Sequence, residues 1–269
     1  MDEAAPAAAL PAIHSMTAPA AWRAIDFISD LHLAGDMPRT FAAWAGYMEG
    51  TPADAVFILG DLFEVWAGDD ARDGAFEKRC IEVLSDAARR RTVGFMVGNR
   101  DFLVGQSMLD ASGLLALPDP TLLLAFDERV LLTHGDALCL SDVAYQQFRS
   151  QVRSAAWQAG FLARPLDDRR ALARRLRDGS EQRKRQMAAH DWPDVDAAAA
   201  LRWMEAAHAP ILIHGHTHRP ASAPIAPGRM RHVLSDWDLE QSPGRAEVLR
   251  WSAAGLHRLS PATAATPRA

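Results

Sequence analysis

The sequence predicts an α/β protein that carries a helical insert, on three observations. Short apolar runs with strand character alternate with longer stretches of helical periodicity. One long region, 142–207, has no strand signal and interrupts that alternation. Five of the apolar runs stop at Asp, Asn or His, and in α/β sheets the loops at the carboxyl ends of the strands hold the ligand site. A chain of 269 residues, 49% hydrophobic and 23% charged, can bury a sizeable core, which excludes disorder as its main state.

Taken in order, residues 1–21 are rich in Ala and Pro and are expected to form a flexible tail, as is the segment PATAATPRA at 261–269. The main domain spans 22–260. Strands are expected at 24–29 (AIDFIS), 55–59 (AVFIL), 92–97 (TVGFMV), 129–133 (RVLLT), 211–213 (ILI) and 232–234 (HVL), apolar runs of strand length. Helices are expected at 39–50 and 74–90, between those runs. Across 142–207, Phe148, Val152, Trp157, Phe161, Leu172 and Leu176 recur at helical intervals, punctuated by Pro165, Gly179 and Pro193. That region reads as a helical lid on the main domain.

No apolar run approaches the ~18 residues of a membrane-spanning helix. The opening residues MDEAAPAAALPAIHSM are acidic and broken by proline, so no signal peptide is expected. Two cysteines, Cys80 and Cys139, cannot build a disulfide framework, which fits a reducing cytoplasm. A net charge of −5 makes no case for binding nucleic acid. The basic residues are 27 Arg and two Lys, and residues 149–185 hold ten of those Arg plus Lys184 against four acidic residues, a local charge of +7. A basic segment inside an acidic chain points to an anionic partner for that segment alone.

The strand ends carry the chemistry. FISDLHL places Asp30 and His32 beyond the first run, FILGD places Asp61, and VGNRD places Asn99, Arg100 and Asp101. LLTHGD presents His134 and Asp136, and ILIHGHTHRP presents His214, His216 and His218. Asp, Asn and His are oxygen and nitrogen ligands for divalent ions, and no thiolate is among them. Residues two apart on an extended segment point the same way, which would pair Asp30 with His32 and His216 with His218. Asp30, His32, Asp61, Asn99, His134, His216 and His218 are too many ligands for one ion; they suit two divalent ions about 3.5–4 Å apart with one carboxylate bridging. Such a pair can activate water and neutralise charge on a phosphoryl group. Glu64, Asp69, Asp70, Asp73 and His190 read as ordinary cap, turn or surface residues.

The order Asp-x-His, Gly-Asp, Gly-Asn-x-Asp, His-Gly-Asp, Gly-His-x-His resembles that of the calcineurin-like metallophosphoesterases over residues 23–260. The resemblance implies a two-layer β-sandwich flanked by helices, with a two-metal site at the sheet ends. It implies that Asp30, His32, Asp61 and His218 hold one ion, and that Asp61 bridges to a second completed by Asn99, His134 and His216. His214 matches no ligand position and is expected to support the site. Most members follow the Asn with a His that protonates the leaving group, whereas this chain has Arg100. A permanently charged guanidinium can neutralise a phosphate leaving group that needs no proton, so Asn99-Arg100 suggests cleavage of a pyrophosphate bond.

The longer strings GDLFEVWAGDD, GNRDFL, HGDALC and IHGHTHRP are similar to those of the UDP-2,3-diacylglucosamine hydrolases of bacterial lipid A biosynthesis. That resemblance implies Mn²⁺-dependent attack of water at the α-phosphate, releasing UMP and 2,3-diacylglucosamine 1-phosphate (lipid X). Asn99, Arg100 and His216 would be catalytic, and Asp142, Ser180 and Lys184 would join them in binding the substrate. The lid apolar residues would line a trough for acyl chains. The basic lid would meet an anionic membrane surface, placing the protein in the cytoplasm, peripheral on the inner membrane; no nucleic acid or protein partner is expected. Met187 stands where some members have a lid Lys, which departs from the pattern. Two other readings stay open on the residues alone. One is a metallophosphoesterase acting on another nucleotide diphosphate or phosphodiester; the other is a binding module that has lost its chemistry, disfavoured by the presence of all seven ligand types.

Overall fold

Alternate residues of the apolar runs have to be covered on opposite faces, and the chain does this by stacking two sheets and laying helices outside both. The computed structural model describes residues 10–186 and 192–266, with backbone alone over 178–186. In chain order the strands are β1 (His14–Thr17), β2 (Ala24–Ile28), β3 (Ala55–Leu59), β4 (Thr92–Met96), β5 (Leu115–Ala116), β6 (Thr121–Ala125), β7 (Glu128–Thr133), β8 (Ile211–His214), β9 (Ala221–Ala226), β10 (Arg229–Val233), β11 (Val248–Ser252) and β12 (Gly255–Leu259). The helices are α1 (Pro38–Gly50), α2 (Ala75–Ala88), α3 (Gln106–Ser112), α4 (Val143–Val152), α5 (Ala155–Leu162), α6 (Leu166–Gln186), α7 (Ala197–Ala206) and α8 (Pro261–Ala264).

One sheet runs β12-β11-β2-β3-β4-β5 and the other β1-β6-β7-β8-β10-β9. β2 through β5 are parallel, as are β7, β8 and β10, so their carboxyl ends lie at one edge of the sandwich. Ile25, Phe27, Phe57 and Leu59 of the first sheet meet Leu123, Val130, Leu132 and Ile213 of the second in the core between the sheets. The opposite faces of β2 and β3, with Ile28, Val56 and Ile58, pack on Trp44 and Met48 of α1 and on Leu84 of α2. The outer face of the other sheet, with Leu131 and Leu212, packs on Ala200, Trp203 and Met204 of α7. The expected two-layer sandwich flanked by helices is the observed architecture.

Three boundaries differ from the sequence reading. Residues 14–17, expected within a loose tail, form β1, an exposed edge strand held by backbone pairing to β6. Backbone pairing leaves no apolar signature, and only Met16 of this strand packs on the core. At the other end, Ser260 caps α8 by accepting from Thr263 N, and Ala264 is buried. Finally, α7 lies inside the expected lid range 142–207 but belongs to the body, because its apolar face covers the second sheet. The helices that stand apart are α4, α5 and α6.

Among the described side chains, five arginines of this region reach partners in the body. Arg149 of α4 donates to Asp136 at 2.8 Å, and Arg153 donates to the Gly98 carbonyl at 2.8 Å. Arg169 of α6 is buried, paired through both terminal nitrogens with Asp70 and bonded to the Ala67 carbonyl. Arg170 pairs with Glu77 and Arg177 with Glu64. All four acidic partners lie outside the insert, so a large part of its charge is matched by the body. Asp70, read as an ordinary turn residue, is one of the anchors. Arg164, Arg174 and Arg175 remain exposed.

A buried ion pair closes the first sheet. Arg250 and Asp26 are cross-strand partners on β11 and β2, joined by two bonds of 2.7 Å, and Tyr47 and Thr51 donate to the same carboxylate at 2.9 Å. Arg250 also donates to the Ala264 carbonyl at 2.8 Å, which ties down α8. Arg250→Met is expected to destabilise the fold by about 3–5 kcal/mol, because it strands a buried carboxylate. Urea unfolding of the two proteins measures this; a loss below ~1 kcal/mol would mean that Tyr47 and Thr51 suffice to solvate Asp26.

Candidate active site

Seven polar side chains converge at the shared edge of the sandwich, each from a loop that leaves the carboxyl end of a strand. Asp30 and His32 follow β2, Asp61 follows β3, Asn99 follows β4, His134 follows β7, and His216 and His218 follow β8. They do not reach the site from extended backbone, as the two-residue spacings suggested. Asp30, His32, Asp61, His216 and His218 all have left-handed φ values between 50° and 68°. That conformation costs a non-glycine residue about 1 kcal/mol or more, and here it aims side chains from separate loops at one point. Gly60, with φ 90°, keeps the neighbouring loop close: a Cβ there would lie 2.4 Å from His134 Nδ1.

Hydrogen bonds decide which ring nitrogen each histidine presents. His134 donates from Nδ1 to the Leu59 carbonyl at 2.9 Å, and its Nε2 lies 3.0 Å from the Asn99 side-chain oxygen. His216 approaches the same oxygen through Nδ1 at 2.8 Å. His32 has Glu64 behind its Nδ1 at 2.9 Å, and His218 has Asp236 behind its Nδ1 at 3.7 Å. Their two Nε2 atoms lie 3.3 Å apart. The Oδ2 atom of Asp61 lies between these sets, 3.9 Å from His32 Nε2 and 3.7 Å from His134 Nε2.

Ring nitrogens, a carboxamide oxygen and carboxylates crowded this closely form an oxygen and nitrogen donor set that fits divalent metal. Asp30, His32 and His218 form one group whose ligand atoms lie within 4.8 Å of one another; Asp30, Asp61 and His134 form a second. The electrostatics agree. Burial disfavours the charged form of Asp30, yet the surrounding histidines hold its carboxyl well below the ordinary range. Burial likewise opposes protonation of His134, but Asp61, Asp136 and Asp30 raise it to about 9. His216 is pushed down to about 3 by burial and by His134. A site rich in carboxylates and crowded imidazoles binds protons where it would bind cations.

A cavity of about 610 Å³ opens from this cluster toward α4, α5 and α6. Its polar end holds His32, Asp61, Asn99, Arg100, His216 and His218, and its far wall is apolar. Phe148, Trp157, Phe161 and Leu176 line that wall as expected. Val152 and Leu172 are not among the residues that line the cavity. Phe102, Trp66 and Trp192 supply aromatic surface in addition. Asp142 lines the cavity and caps α4 by accepting from Tyr145 N at 2.9 Å. Ser180 and Lys184 lie on α6 where only backbone is described, and Met187 and His190 lie outside the described residues.

Residues 24–220 match the calcineurin-like phosphoesterase family. The UDP-2,3-diacylglucosamine hydrolase of Chromobacterium violaceum is 46% identical over 222 residues, covering 80% of this chain and 90% of that protein. This chain belongs to the UDP-2,3-diacylglucosamine hydrolase family of calcineurin-like phosphoesterases. The hydrolase of the same name from Aromatoleum aromaticum is 44% identical over 85% of this chain and 93% of its own length. Among solved structures, an archaeal phosphodiesterase aligns with a TM-score of 0.46 at 10% identity, covering 88% of this chain and 98% of that one.

In this member of the UDP-2,3-diacylglucosamine hydrolase family, the residues that shape the site extend beyond the expected ligands. Asp101 is buried and accepts from the backbone of Gly98 and Leu62 at 2.8 Å, which staples the Asn99 loop to the Asp61 loop. Burial and the nearby Asp61 raise its carboxyl to about 6. Asp136 accepts from Tyr145 at 2.6 Å as well as from Arg149, and the Tyr145 ring stacks on His216 at 5.9 Å. His214 accepts from Arg231 at 2.8 Å and donates from Nδ1 to the Gly215 carbonyl at 2.7 Å. Glu64, read from the sequence as an ordinary residue, is buried against His32, Arg100 and Arg177.

Proposed function

We propose that this chain hydrolyses the pyrophosphate bond of UDP-2,3-diacylglucosamine, with Asp30, His32, Asp61, Asn99, His134, His216 and His218 holding two divalent ions, Mn²⁺ in the first instance. The observation that supports this reading is that Arg100 and the metal-fitting cluster line one cavity with Phe148, Trp157, Phe161 and Leu176. Bound ions would supply Lewis-acid activation of water and neutralise charge on the phosphoryl oxygens. Water adds to the α-phosphorus as the bond to the bridging oxygen breaks, giving UMP and 2,3-diacylglucosamine 1-phosphate. Asn99 and His216 orient the α-phosphate, and Arg100 pairs with the departing sugar phosphate, a leaving group that needs no proton. Asp142, Ser180 and Lys184 contact the head of the substrate, and the aromatic wall receives acyl chains.

We further propose that α4, α5 and α6, with the segment that follows α6, act as a lid that meets the cytoplasmic face of the inner membrane. Among the described residues no helix is long and apolar enough to cross a membrane. Support for contact with its surface comes from Val143 and Leu162, both exposed on the lid, together with the exposed Arg164, Arg174 and Arg175.

The test is hydrolysis in H₂¹⁸O with added Mn²⁺, with UDP-N-acetylglucosamine and bis-p-nitrophenyl phosphate as alternative substrates. Release of UMP from the diacylated substrate, with ¹⁸O in the UMP, is expected. Label confined to the lipid phosphate would reverse the direction of attack, and hydrolysis of the simple esters alone would remove the lipid assignment.

A further inference from the structure

Glu64 stands outside the seven ligand positions, in the loop after β3, yet it is buried. Its Oε2 lies 2.9 Å from His32 Nδ1. Its Oε1 lies 2.7 Å from Arg177 Nε on α6 and 3.5 Å from Arg100 Nη1. An ionised carboxylate offers only acceptors, so its close approach favours the His32 tautomer with the proton on Nδ1. With the proton on Nδ1, the Nε2 atom of His32 has only its lone pair to turn toward Asp61 and His218. Meanwhile α6 is fixed near its start by Arg169 and Arg170, and Arg177 is its contact at the cavity wall. One side chain thus touches a candidate ligand, the arginine after Asn99 and the lid.

We propose that Glu64 is a positioning residue: it sets the proton and ring angle of His32 and, through the same carboxylate, holds Arg100 and Arg177 at the cavity wall. Metal affinity and substrate binding therefore depend on one group that itself touches neither reacting atom. The inference rests on the phosphoester hydrolysis proposed above, and its test includes a readout independent of turnover.

Glu64→Gln keeps the size of the side chain and removes its charge. Titration of metal-free protein with Mn²⁺, followed by electron paramagnetic resonance of the free ion, is expected to show affinity about 10-fold or more weaker than wild type. The KM for UDP-2,3-diacylglucosamine should rise about 10-fold, as two guanidinium groups lose their fixed counter-charge. Arg177→Gln should separate the two effects, raising KM while Mn²⁺ affinity stays within about twofold of wild type. A merely structural Glu64 would lower the melting temperature and leave Mn²⁺ affinity and KM of the folded protein unchanged, and that result overturns the proposal. If Glu64→Gln does not fold, Glu64→Asp carries the test, since it keeps the charge and shortens the reach; wild-type affinity and KM in that variant count equally against it. Should wild-type protein bind Mn²⁺ but leave the glycolipid intact, the proposed substrate fails, and the Glu64 variants are read on Mn²⁺ affinity and bis-p-nitrophenyl phosphate.

Discussion

Asp30→Ala and His134→Ala are each expected to lower kcat/KM by at least about three orders of magnitude while the protein stays folded. Asp30 belongs to both groups of candidate ligands, so its loss reaches both proposed ions rather than one. Its carboxylate also accepts from Ser29 at 2.5 Å and from the His216 backbone at 2.9 and 3.0 Å, which ties the loop after β8 to the loop after β2. His134 is fully buried, with Nδ1 committed to Leu59, so no rotation of a neighbour can substitute for its Nε2. The fold should survive both changes, because the two residues lie beyond the strand ends and the apolar clusters do not include them. Rates measured with added Mn²⁺, metal content per chain and circular dichroism melting check all three parts. Retention of most activity by either folded variant would defeat the assignment of the site.

That site was legible in the sequence because its signal is local. Each ligand follows a buried parallel strand by one to a few residues, so a run such as AVFIL and the Asp61 beyond it report strand and ligand together. Two of the strands that escaped notice lack such local contrast. β11 reads VLRWS with Arg250 in its middle, yet every residue is buried because Asp26 waits across the sheet. β1 is an exposed edge whose hold is backbone pairing. α3 is only seven residues long, and its support comes from Asp69, which accepts from the Gly105 and Met108 backbones at 2.9 Å. A residue whose partner lies 36 or 39 positions away carries no local pattern.

The same limit governs the charge of the 149–185 segment and the groups that hold the ligands. Counting residues 149–185 gives +7, but Asp136, Asp70, Glu77 and Glu64 neutralise part of it from elsewhere in the chain. Charge counted along a segment is therefore an upper bound on what that segment offers an external partner. Glu64 escaped functional notice for the converse reason: a lone acidic residue near a strand end is ordinarily a turn or cap, and only its arginine and histidine partners distinguish it.

Gly98→Ala is expected to cost about 100-fold or more in kcat/KM without removing any ligand. A Cβ at this position would lie 2.0 Å from Asp61 Oδ1, 2.8 Å from its Cγ and 2.5 Å from its backbone nitrogen. A side chain could swing aside, but a backbone nitrogen moves only with its loop, so the Asn99 and Asp61 loops must part. Parting them breaks the 2.8 Å bonds from Leu62 N to Asp101 Oδ2 and from Arg100 N to Asp61 Oδ1. The carboxylate proposed to bridge the ions and the Asn99-Arg100 pair then lose their common register. Gly46→Ala is the control, since nothing lies within 4 Å of a Cβ there and the residue is exposed on α1. It should stabilise the protein by ~0.5–1 kcal/mol and leave hydrolysis unchanged. Wild-type kcat/KM in Gly98→Ala would mean that the two loops tolerate displacement, and that close approach of their backbones does not set the geometry of the site.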